Sequence, residues 1–471
     1  MRRSDRYLFA AGALAIAVYF FRLTRPSLHA YFSPDDSMNL YRAWTGTNAS
    51  LIKANFLFFT ASPFIRPFAA VWYRAIFHFA GFNPAPFHAV NLAILAIDIF
   101  LTYALARRLS GSREAGAVAA LLGCYYTRLG CLYFDTGYVF DVLCYAFYFG
   151  AFLLYVRVRQ EKRSLRVWEV AACAVLYICA LNSKEMAVTL PLFLAIYELL
   201  YHGRKEARVM GVLVTGVLTL IFAIGRSLGS ESLLHNAAYQ PLFTWSRFME
   251  TSGHFLGDMT DRAGWPASAV LLLWGVLFAV AWSSRSRVLK FAWLFLMLSP
   301  IPVAFVLPRG AAQYYLPWFG WVLYISVVLV RALEWVTRRI WGDRAAVARL
   351  RGAVVMATLI LVLYPYYKHK GWWNVVSITV EAPVYRDVVS QLHTLAPNIQ
   401  ANSRLLFLND PIKADVQDLL FLVRLSYRDD SLVIDRIKQM KTKPDERQMT
   451  AYNFIFDYQD GRFVMLKQPG S

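Results

Sequence analysis

Long apolar runs separated by short polar connections fill the first three quarters of the chain. Runs of about 18 residues or more indicate membrane-spanning helices, because that length of helix crosses the hydrocarbon core of a bilayer. The first run follows Arg2, Arg3 and Arg6 and has no small-residue cleavage site after it, so it is interpreted as an uncleaved signal anchor. The pattern predicts eleven spans, at 7–23, 88–105, 114–131, 138–156, 166–182, 186–201, 208–225, 266–282, 290–307, 314–330 and 352–367.

Basic residues occupy alternate connections between these runs. With the N-terminus, the connections at 107–113, 157–166, 204–208, 285–290 and 331–351 hold 23 of the 49 Lys and Arg residues and few acidic ones. Nearly all of the net charge of +19 therefore lies on one side of the membrane. Because Lys and Arg in short loops favour the cytoplasm, we expect the N-terminus inside and residues 368–471 outside. This distribution explains the basic balance without a nucleic-acid partner.

Composition supports a membrane protein. The 471 residues are 58% hydrophobic, and the mean hydropathy of +0.41 is too high for a soluble protein of this size. All five cysteines lie in apolar runs without metal spacing or a disulfide pattern, and are interpreted as buried thiols.

Two long loops are expected on the outer side, at 24–87 and 226–265. In the first, residues 66–81 form an amphipathic pattern, with Arg66, Arg74 and His78 on one face and aromatic residues opposite. Such a helix is expected to lie in the membrane interface rather than across it. The second loop carries an amphipathic piece at 243–259. Two long loops on the same side suggest a shared site.

The composition changes after Tyr367. Residues 368–471 predict a small external α/β or α+β domain, interpreted as a packing or acceptor-docking module. Its predicted helices are 383–395 and 414–425, and its strands are 404–408, 432–434, 453–458 and 462–466, the last two flanking a turn at Asp460-Gly461. The expected fold class is therefore an all-α polytopic membrane protein of about eleven transmembrane helices (1–367), with interfacial helices in the first external loop, plus this domain (368–471).

The segment Ser33-Pro34-Asp35-Asp36 lies just beyond the first span. Adjacent carboxylates repel, so one pKa rises, which suits a general base. The alternative is a helix start, with Ser33 as N-cap, Pro34 at N1 and Asp36 at N3. Both interpretations hold together if the capped start fixes the carboxylates in place. Asp36 is favoured as the base, although the capping geometry would make its carboxylate less free.

Five places on the outer side collect polar groups. They are Asp35-Asp36, Arg66, Asp135, Lys184-Glu185, and the segment 308–317 with Arg309, Gln313 and Tyr314. Three alternatives stay open: Lys184 and Glu185 pair with each other, Arg309 anchors to lipid headgroups, and Asp98 and Asp141 make structural hydrogen bonds between helices. Carboxylates and cations on one outer cavity suit a reaction in which a hydroxyl loses a proton and a phosphate leaves.

These residues resemble motifs of the GT-C superfamily of multi-spanning glycosyltransferases, which includes protein O-mannosyltransferases, the aminoarabinose transferase of lipid A, and the membrane domain of the transmembrane-and-tetratricopeptide O-mannosyltransferases. The resemblance covers roughly residues 30–330. It rests on Pro34-Asp35-Asp36, the stretch from Arg66-Pro67 to Arg107-Arg108-Leu109, Ser183-Lys184-Glu185, and Gln313-Tyr314-Tyr315-Leu316-Pro317. Two features depart from the family pattern: Gln313 stands where the family often has Arg, and no tetratricopeptide repeats follow the membrane domain.

The resemblance implies an inverting glycosyltransferase that moves a sugar from a polyprenyl-phosphate donor to an acceptor hydroxyl at the outer face of a bacterial plasma (inner) membrane. Asp35 or Asp36 would be the base, Asp135 would orient the acceptor or a metal, and Lys184 with Arg66 or Arg309 would hold the phosphate. Mg²⁺ or Mn²⁺ is compatible with Asp36 and Asp135. The rival interpretations are a transporter or flippase of a lipid-linked sugar or anion, disfavoured by the absence of repeated halves, and a structural membrane protein.

Overall fold

A computed structural model describes residues 3–56, 66–124, 130–228, 240–260, 262–342, 345–370 and 377–468. The N-terminal helices are α1 Arg3–Thr24, α2 Pro34–Thr45, α3 Asn48–Phe56, α4 Pro67–Ala80, α5 Pro84–Ser110, α6 Arg113–Gly123, α7 Cys131–Phe134, α8 Val139–Gln160, α9 Val167–Ser183, α10 Leu190–Tyr197 and α11 Gly203–Glu206. Then follow α12 Met210–Leu228, α13 Trp245–Thr260, α14 Ala267–Ser283, α15 Arg287–Leu298, α16 Ile301–Ala304, α17 Tyr315–Trp341 and α18 Ala345–Lys370.

Six helical stretches within the described residues are long and apolar enough to cross a membrane. They are Pro84–Ser110, Thr136–Gln160, Glu185–Glu206, Met210–Ser227, Arg287–Ala304 and Ala312–Ile340. Three shorter apolar helices, Val167–Ser183, Ala267–Ser283 and Gly352–Tyr364, coincide with further predicted spans. The protein is therefore an integral, multi-pass membrane protein, as predicted. The count of eleven stays a prediction, and α6 is shorter than the predicted span 114–131.

The basic connections gather at one end of the helix bundle. Arg108, at the end of α5, donates a hydrogen bond to Gln160 at the end of α8. Tyr201 donates to the carbonyl of Leu109, and Arg287 donates to the carbonyl of Tyr201. Because α8 runs from the Thr136-Gly137 turn to this end, the polar groups around that turn lie at the opposite end of the bundle.

The described part of the chain between α1 and α5 folds back on itself. Helix α4 agrees with the predicted helix 66–81 and packs its buried face, which includes Trp72, Tyr73 and Phe77, toward α2. Phe32 stacks on Phe82 with ring centroids 4.5 Å apart, which ties the start of α2 to the chain that follows α4. These apolar contacts form a separate small core beside the bundle.

The C-terminal segment forms the predicted small domain. Its helices are α19 Ala382–Leu395, α20 Asp418–Tyr427 and α21 Glu446–Met449, and its strands are β1 Arg404–Phe407, β2 Val433–Arg436, β3 Phe454–Gln459 and β4 Arg462–Lys467. The strand order is β2-β1-β3-β4. Strand β1 is parallel to β2 and β3, and β4 is antiparallel to β3, so the domain is α/β with one antiparallel edge. Asp460 and Gly461 have positive φ, as a tight hairpin turn requires.

This domain packs directly on the small core formed by α2 and α4. Leu425 of α20 is fully buried in that apolar core, and Phe421 packs on Tyr41 of α2 with centroids 5.0 Å apart. Arg424 also donates a hydrogen bond to the Tyr41 hydroxyl. The domain therefore braces α2, the helix that carries the Asp35-Asp36 pair.

Candidate active site

Helix α2 begins with the predicted capping box. The Ser33 hydroxyl accepts a hydrogen bond from the Asp36 amide at 3.3 Å, and the Asp36 carboxylate accepts one from the Ser33 amide at 3.0 Å. Pro34 occupies the first helical position, where its missing amide proton costs nothing. The local sequence thus fixes where the helix starts.

Asp36 is enclosed by its partners. Its Oδ1 accepts hydrogen bonds from Thr136 at 2.6 Å and from Tyr73 at 3.0 Å, while Oδ2 faces Ser33. The residue is 0% exposed. Burial raises the pKa of its carboxyl, and the four hydrogen-bond donors oppose that rise. Asp36 joins α2, α4 and the Thr136 turn rather than facing open space.

Asp135 is likewise buried. Its Oδ1 accepts hydrogen bonds from the Ser33 hydroxyl at 2.7 Å and from the Gly137 amide at 2.9 Å. Burial, followed by repulsion from Asp36, raises the pKa of its carboxyl well above the ordinary value. Gly137 has a further role, because a Cβ there would lie 3.0 Å from the Cβ of Asp35. It would also lie 2.8 Å from Asp135 Oδ1, so any side chain here would push the turn away from α2 or shift these neighbours.

A cavity of about 440 Å³ lies on the other side of α2. Its wall on that helix is formed by Asp35, Met38, Asn39 and Arg42, which recur at helical spacing. Among the described residues no side chain donates a hydrogen bond to Asp35. The surrounding protein still desolvates the carboxylate and raises its pKa; Arg66 opposes this shift and Glu381 of the C-terminal domain adds to it.

Two ion pairs supply cations to the cavity. The Lys184 Nζ lies 2.9 Å from Asp141 Oδ2, with both side chains buried. The Arg66 guanidinium donates to both carboxylate oxygens of Glu185, at 3.3 and 3.2 Å. Lys184, Asp141 and Arg66 line the cavity. The alternative in which Lys184 and Glu185 pair with each other is therefore wrong, because each faces a different helix.

The segment before α17 closes the cavity with Arg309 and Gln313. Tyr314 lies elsewhere: its ring stacks on Phe255 at 3.8 Å between centroids, and its hydroxyl donates to the Thr251 carbonyl. The structure thus brings together five of the predicted site residues, namely Asp35, Arg66, Lys184, Arg309 and Gln313. It places Asp36, Asp135 and Tyr314 outside the lining, and Glu185 behind Arg66.

Other lining residues were not identified as site residues from the sequence. Asn39 and Arg42 stand four and seven positions after Asp35, so helical spacing alone could have placed them on its face. Tyr73 and Tyr138 carry no such signal. The sequence leaves Asp141 open between a structural hydrogen bond and function, and the structure assigns it to the site, since it lines the cavity and pairs with Lys184. Asp98, by contrast, accepts a hydrogen bond from Tyr315 inside the bundle, as a structural residue would.

The residues suggested for a metal do not fit that use. Asp36 has both oxygens engaged in hydrogen bonds, and neither Asp36 nor Asp135 lines the cavity. Within the described residues, no group of three or more His, Cys, Asp and Glu side chains is arranged to hold a metal ion. We therefore assign no step to a metal.

No protein-family model and no curated protein matches this sequence. Two solved structures share its architecture. The oligosaccharyltransferase of Archaeoglobus fulgidus, tethered to an acceptor peptide, matches with a TM-score of 0.53 and 10% identity over 92% of this chain, which spans 64% of that protein. ArnT from Cupriavidus metallidurans, bound to undecaprenyl phosphate, matches with a TM-score of 0.52 and 12% identity over 98% of this chain and 94% of its own.

The chain has the fold of the GT-C glycosyltransferases. This confirms the fold expected from the resemblance, and the structural match extends over 92% and 98% of the chain. At such low identity the likeness establishes the GT-C fold only.

Proposed function

We propose that this protein is an inverting glycosyltransferase that transfers a sugar from a polyprenyl-phosphate donor to an acceptor hydroxyl. The observation that carries the proposal is the cavity itself: a carboxylate with a raised pKa, Asp35, faces Lys184, Arg66 and Arg309 across one water-accessible space. A base and a set of cations are what hydroxyl activation and phosphate departure need. ArnT, of the same fold, holds undecaprenyl phosphate.

Our proposal includes an outer-side location for the cavity. The basic connections lie at one end of the bundle and the cavity at the other, since Tyr138, which precedes α8, lines the cavity and Arg157 and Arg159 lie in the last turn of the same helix. Lys and Arg in short connections favour the cytoplasm. The C-terminal domain would then lie outside, above the cavity.

Asp35 is the proposed general base, in preference to Asp36. It would accept the proton of the acceptor hydroxyl as the hydroxyl oxygen bonds to the anomeric carbon. The bond from that carbon to the phosphate oxygen breaks on the opposite face, which inverts the configuration. Lys184, Arg66 and Arg309 would stabilise the negative charge on the departing phosphate. Asp36 and Asp135 would hold the start of α2 against the Gly137 turn. Acceptor orientation, considered for Asp135 on sequence grounds, is assigned to cavity residues such as Asn39.

The test uses the purified full chain with a panel of short-chain polyprenyl-phosphate sugars and acceptor hydroxyls. We expect transfer or slow hydrolysis that releases the polyprenyl phosphate, detected by chromatography. A transporter or flippase would instead move the lipid-linked sugar between leaflets of a vesicle and leave it intact. If the protein moves intact donor across the vesicle membrane and releases polyprenyl phosphate from none of the donors in the panel, the enzyme assignment is contradicted.

A further inference from the structure

We propose that the acceptor of the transfer is an acidic saccharide, and that Arg42 binds its anionic group, a carboxylate or a phosphate, while its reacting hydroxyl lies at Asp35. This acceptor class rests on the proposed function and deepens it. Arg42 would then determine which acceptor is used, and would act on the acceptor rather than on the donor phosphate.

Asp35, Asn39 and Arg42 form one row on α2, and all three line the cavity. Seven positions make almost two turns of a helix, so Arg42 lies nearly in line with Asp35 and about 10 Å further along the helix axis. The other sides of α2 are occupied, since Leu40 is buried in the small core and Tyr41 packs on the C-terminal domain. This row is therefore the face that α2 presents to a ligand.

Arg42 differs from the two paired cations of the cavity. Lys184 is paired with Asp141. Arg66 is paired with Glu185. Arg42 is exposed, and within the part of the chain that the structure describes its side chain makes no ion pair and no hydrogen bond. Its guanidinium is therefore free to bind an anion that enters the cavity.

The position of Arg42 in the last turn of α2 has a simpler explanation, which the structure does not favour. A cation there can interact with the free carbonyl groups at the end of the helix. Here the Gly46 carbonyl already accepts a hydrogen bond from Arg74 of α4, and the Gly46 amide donates to the Arg42 carbonyl. The end of α2 is thus satisfied without the Arg42 side chain.

The location of Arg42 favours the acceptor over the donor. In an inverting displacement the attacking hydroxyl and the leaving group lie on opposite faces of the anomeric carbon. Asp35 and Arg42 lie on one wall of the cavity, formed by α2. Lys184 follows α9 and Arg66 precedes α4, so the cations proposed for the phosphate come from other walls. Arg42 is therefore on the side of the base, where the rest of the acceptor extends.

The other lining residues near this row suit a saccharide. The Asn39 amide lies between the base and Arg42, and it can both donate and accept hydrogen bonds, as sugar hydroxyls do. Gln313 adds a second amide, and the half-buried Tyr138 adds an aromatic ring that can cover the apolar face of a sugar. A few amides beside an aromatic ring are typical of a site for a small polar molecule.

The test compares three acceptors that share one skeleton: cellobiose, cellobiouronic acid and cellobiose 6′-phosphate. It uses the full chain and the donor that the panel of polyprenyl-phosphate sugars identifies. We expect kcat/KM for an acidic acceptor to exceed that for cellobiose roughly three- to thirtyfold, because Arg42 is charged but exposed to solvent. The two acids distinguish a carboxylate from a phosphate as the preferred group.

Variants of Arg42 separate this role from a structural one. Arg42→Gln should reduce the ratio of acidic to neutral kcat/KM to about one, and Arg42→Glu should reverse it, because like charges repel. Arg42→Lys should keep part of the preference, since the charge survives. Lys53→Gln removes an equal charge from α3, outside the cavity wall, and should leave the ratio unchanged. A merely structural Arg42 would not change this ratio.

Calorimetry with farnesyl phosphate measures the donor side separately. Arg42→Gln should change this affinity by less than about twofold. A larger loss would place Arg42 at the donor phosphate and overturn its role at the acceptor. Equal use of cellobiose and its acids by the wild type, or use of neither acid, would overturn it as well. Wild-type protein that binds no farnesyl phosphate and releases polyprenyl phosphate from no donor would contradict the proposed function itself.

Discussion

The two ends of the bundle each contain buried or half-buried ion pairs, but they use them differently. At the basic end, Arg159 donates to both oxygens of Glu198 and to the carbonyls of Arg163 and Glu206. Glu198 also accepts from Tyr155 and from the Arg208 amide. Both side chains are nearly inaccessible, at 2% and 4%. Because these side chains are buried and already hydrogen-bonded to protein groups, the pair is not available to bind a ligand.

At the cavity end, the pairs Arg66–Glu185 and Lys184–Asp141 share a wall with about 440 Å³ of open space. Arg66 of the first pair and both members of the second line that space. In the proposed function, the same residue types therefore hold helices together at one end and would bind an anion at the other. The number of satisfied hydrogen bonds and the access to the cavity, rather than the charges, separate the two roles.

The largest effect is expected on the transfer rate when the proposed general base is replaced. Asp35→Asn keeps the size of the side chain but removes the proton acceptor, so transfer should fall by about 10²–10⁴-fold with donor binding little changed. Initial rates with a matched donor and acceptor measure this. Asp36→Asn is the matched control. It disturbs hydrogen bonds from Ser33, Thr136 and Tyr73, so it should lower the unfolding free energy by about 1–3 kcal/mol while the folded protein keeps more activity. Near-normal turnover of folded Asp35→Asn would contradict the assignment.

Substitutions in the Arg159–Glu198 ion pair at the basic end should change the stability of the protein and leave its ligand affinity unchanged. Arg159→Met leaves Glu198 buried without its cation, which costs about 3–5 kcal/mol of unfolding free energy. Thermal unfolding in detergent would report the loss. Adding Glu198→Leu should recover most of it, since an apolar pair of similar volume is often as stable. A change in the farnesyl phosphate affinity of the folded variant would show that the two ends are coupled and that the Arg159–Glu198 pair is not purely structural.

Substitution of a cation that lines the cavity should change the affinity for a phosphate ligand. Lys184→Gln removes a charged donor and should weaken farnesyl phosphate binding roughly 10- to 100-fold, because a hydrogen bond to a charged group is worth about 1.5–3 kcal/mol. Lys184→Arg should retain part of the affinity, since the charge survives with a changed geometry. Calorimetry compares the two variants. Equal affinity of Lys184→Gln and wild type would leave Lys184 with a structural role only.

The smallest effect concerns pH. Asp35 must be ionised to act as a base, so kcat/KM should fall as the pH drops through its pKa, which partial burial raises. Glu381 raises that pKa further. Glu381→Gln should therefore move the acidic limb of the profile to lower pH, by less than about one unit. Glu446→Gln, in α21 of the same domain, is a suitable control. A limb that shifts upward would contradict the proximity of Glu381 to the base.

Some of the site follows from local sequence. Ser33, Pro34 and Asp36 are within three residues of each other, so the capping box is determined by neighbouring residues and was predictable. The basic clusters and apolar runs likewise predicted the multi-pass architecture, and alternation with turn residues predicted the four strands near their observed positions. The grouping of Asp35, Arg66, Lys184, Arg309 and Gln313 was expected from the motifs, and the structure places all five around one cavity.

The sequence by itself thus determined the helices, the start of α2 and the residue types of the site. The tertiary structure alone decided which carboxylate faces the cavity and which cation pairs with which anion. Asp35 and Asp36 are neighbours on one helix, and only the packing of Tyr73 and Thr136 against Asp36 turns that residue inward and leaves Asp35 facing the cavity. Arg66 and Glu185 are 119 positions apart, and Lys184 and Asp141 are 43 apart. The choice of partner across such separations depends on how the helices pack. A charge interacts with the nearest opposite charge in space, and the sequence does not show which charges packing will bring together.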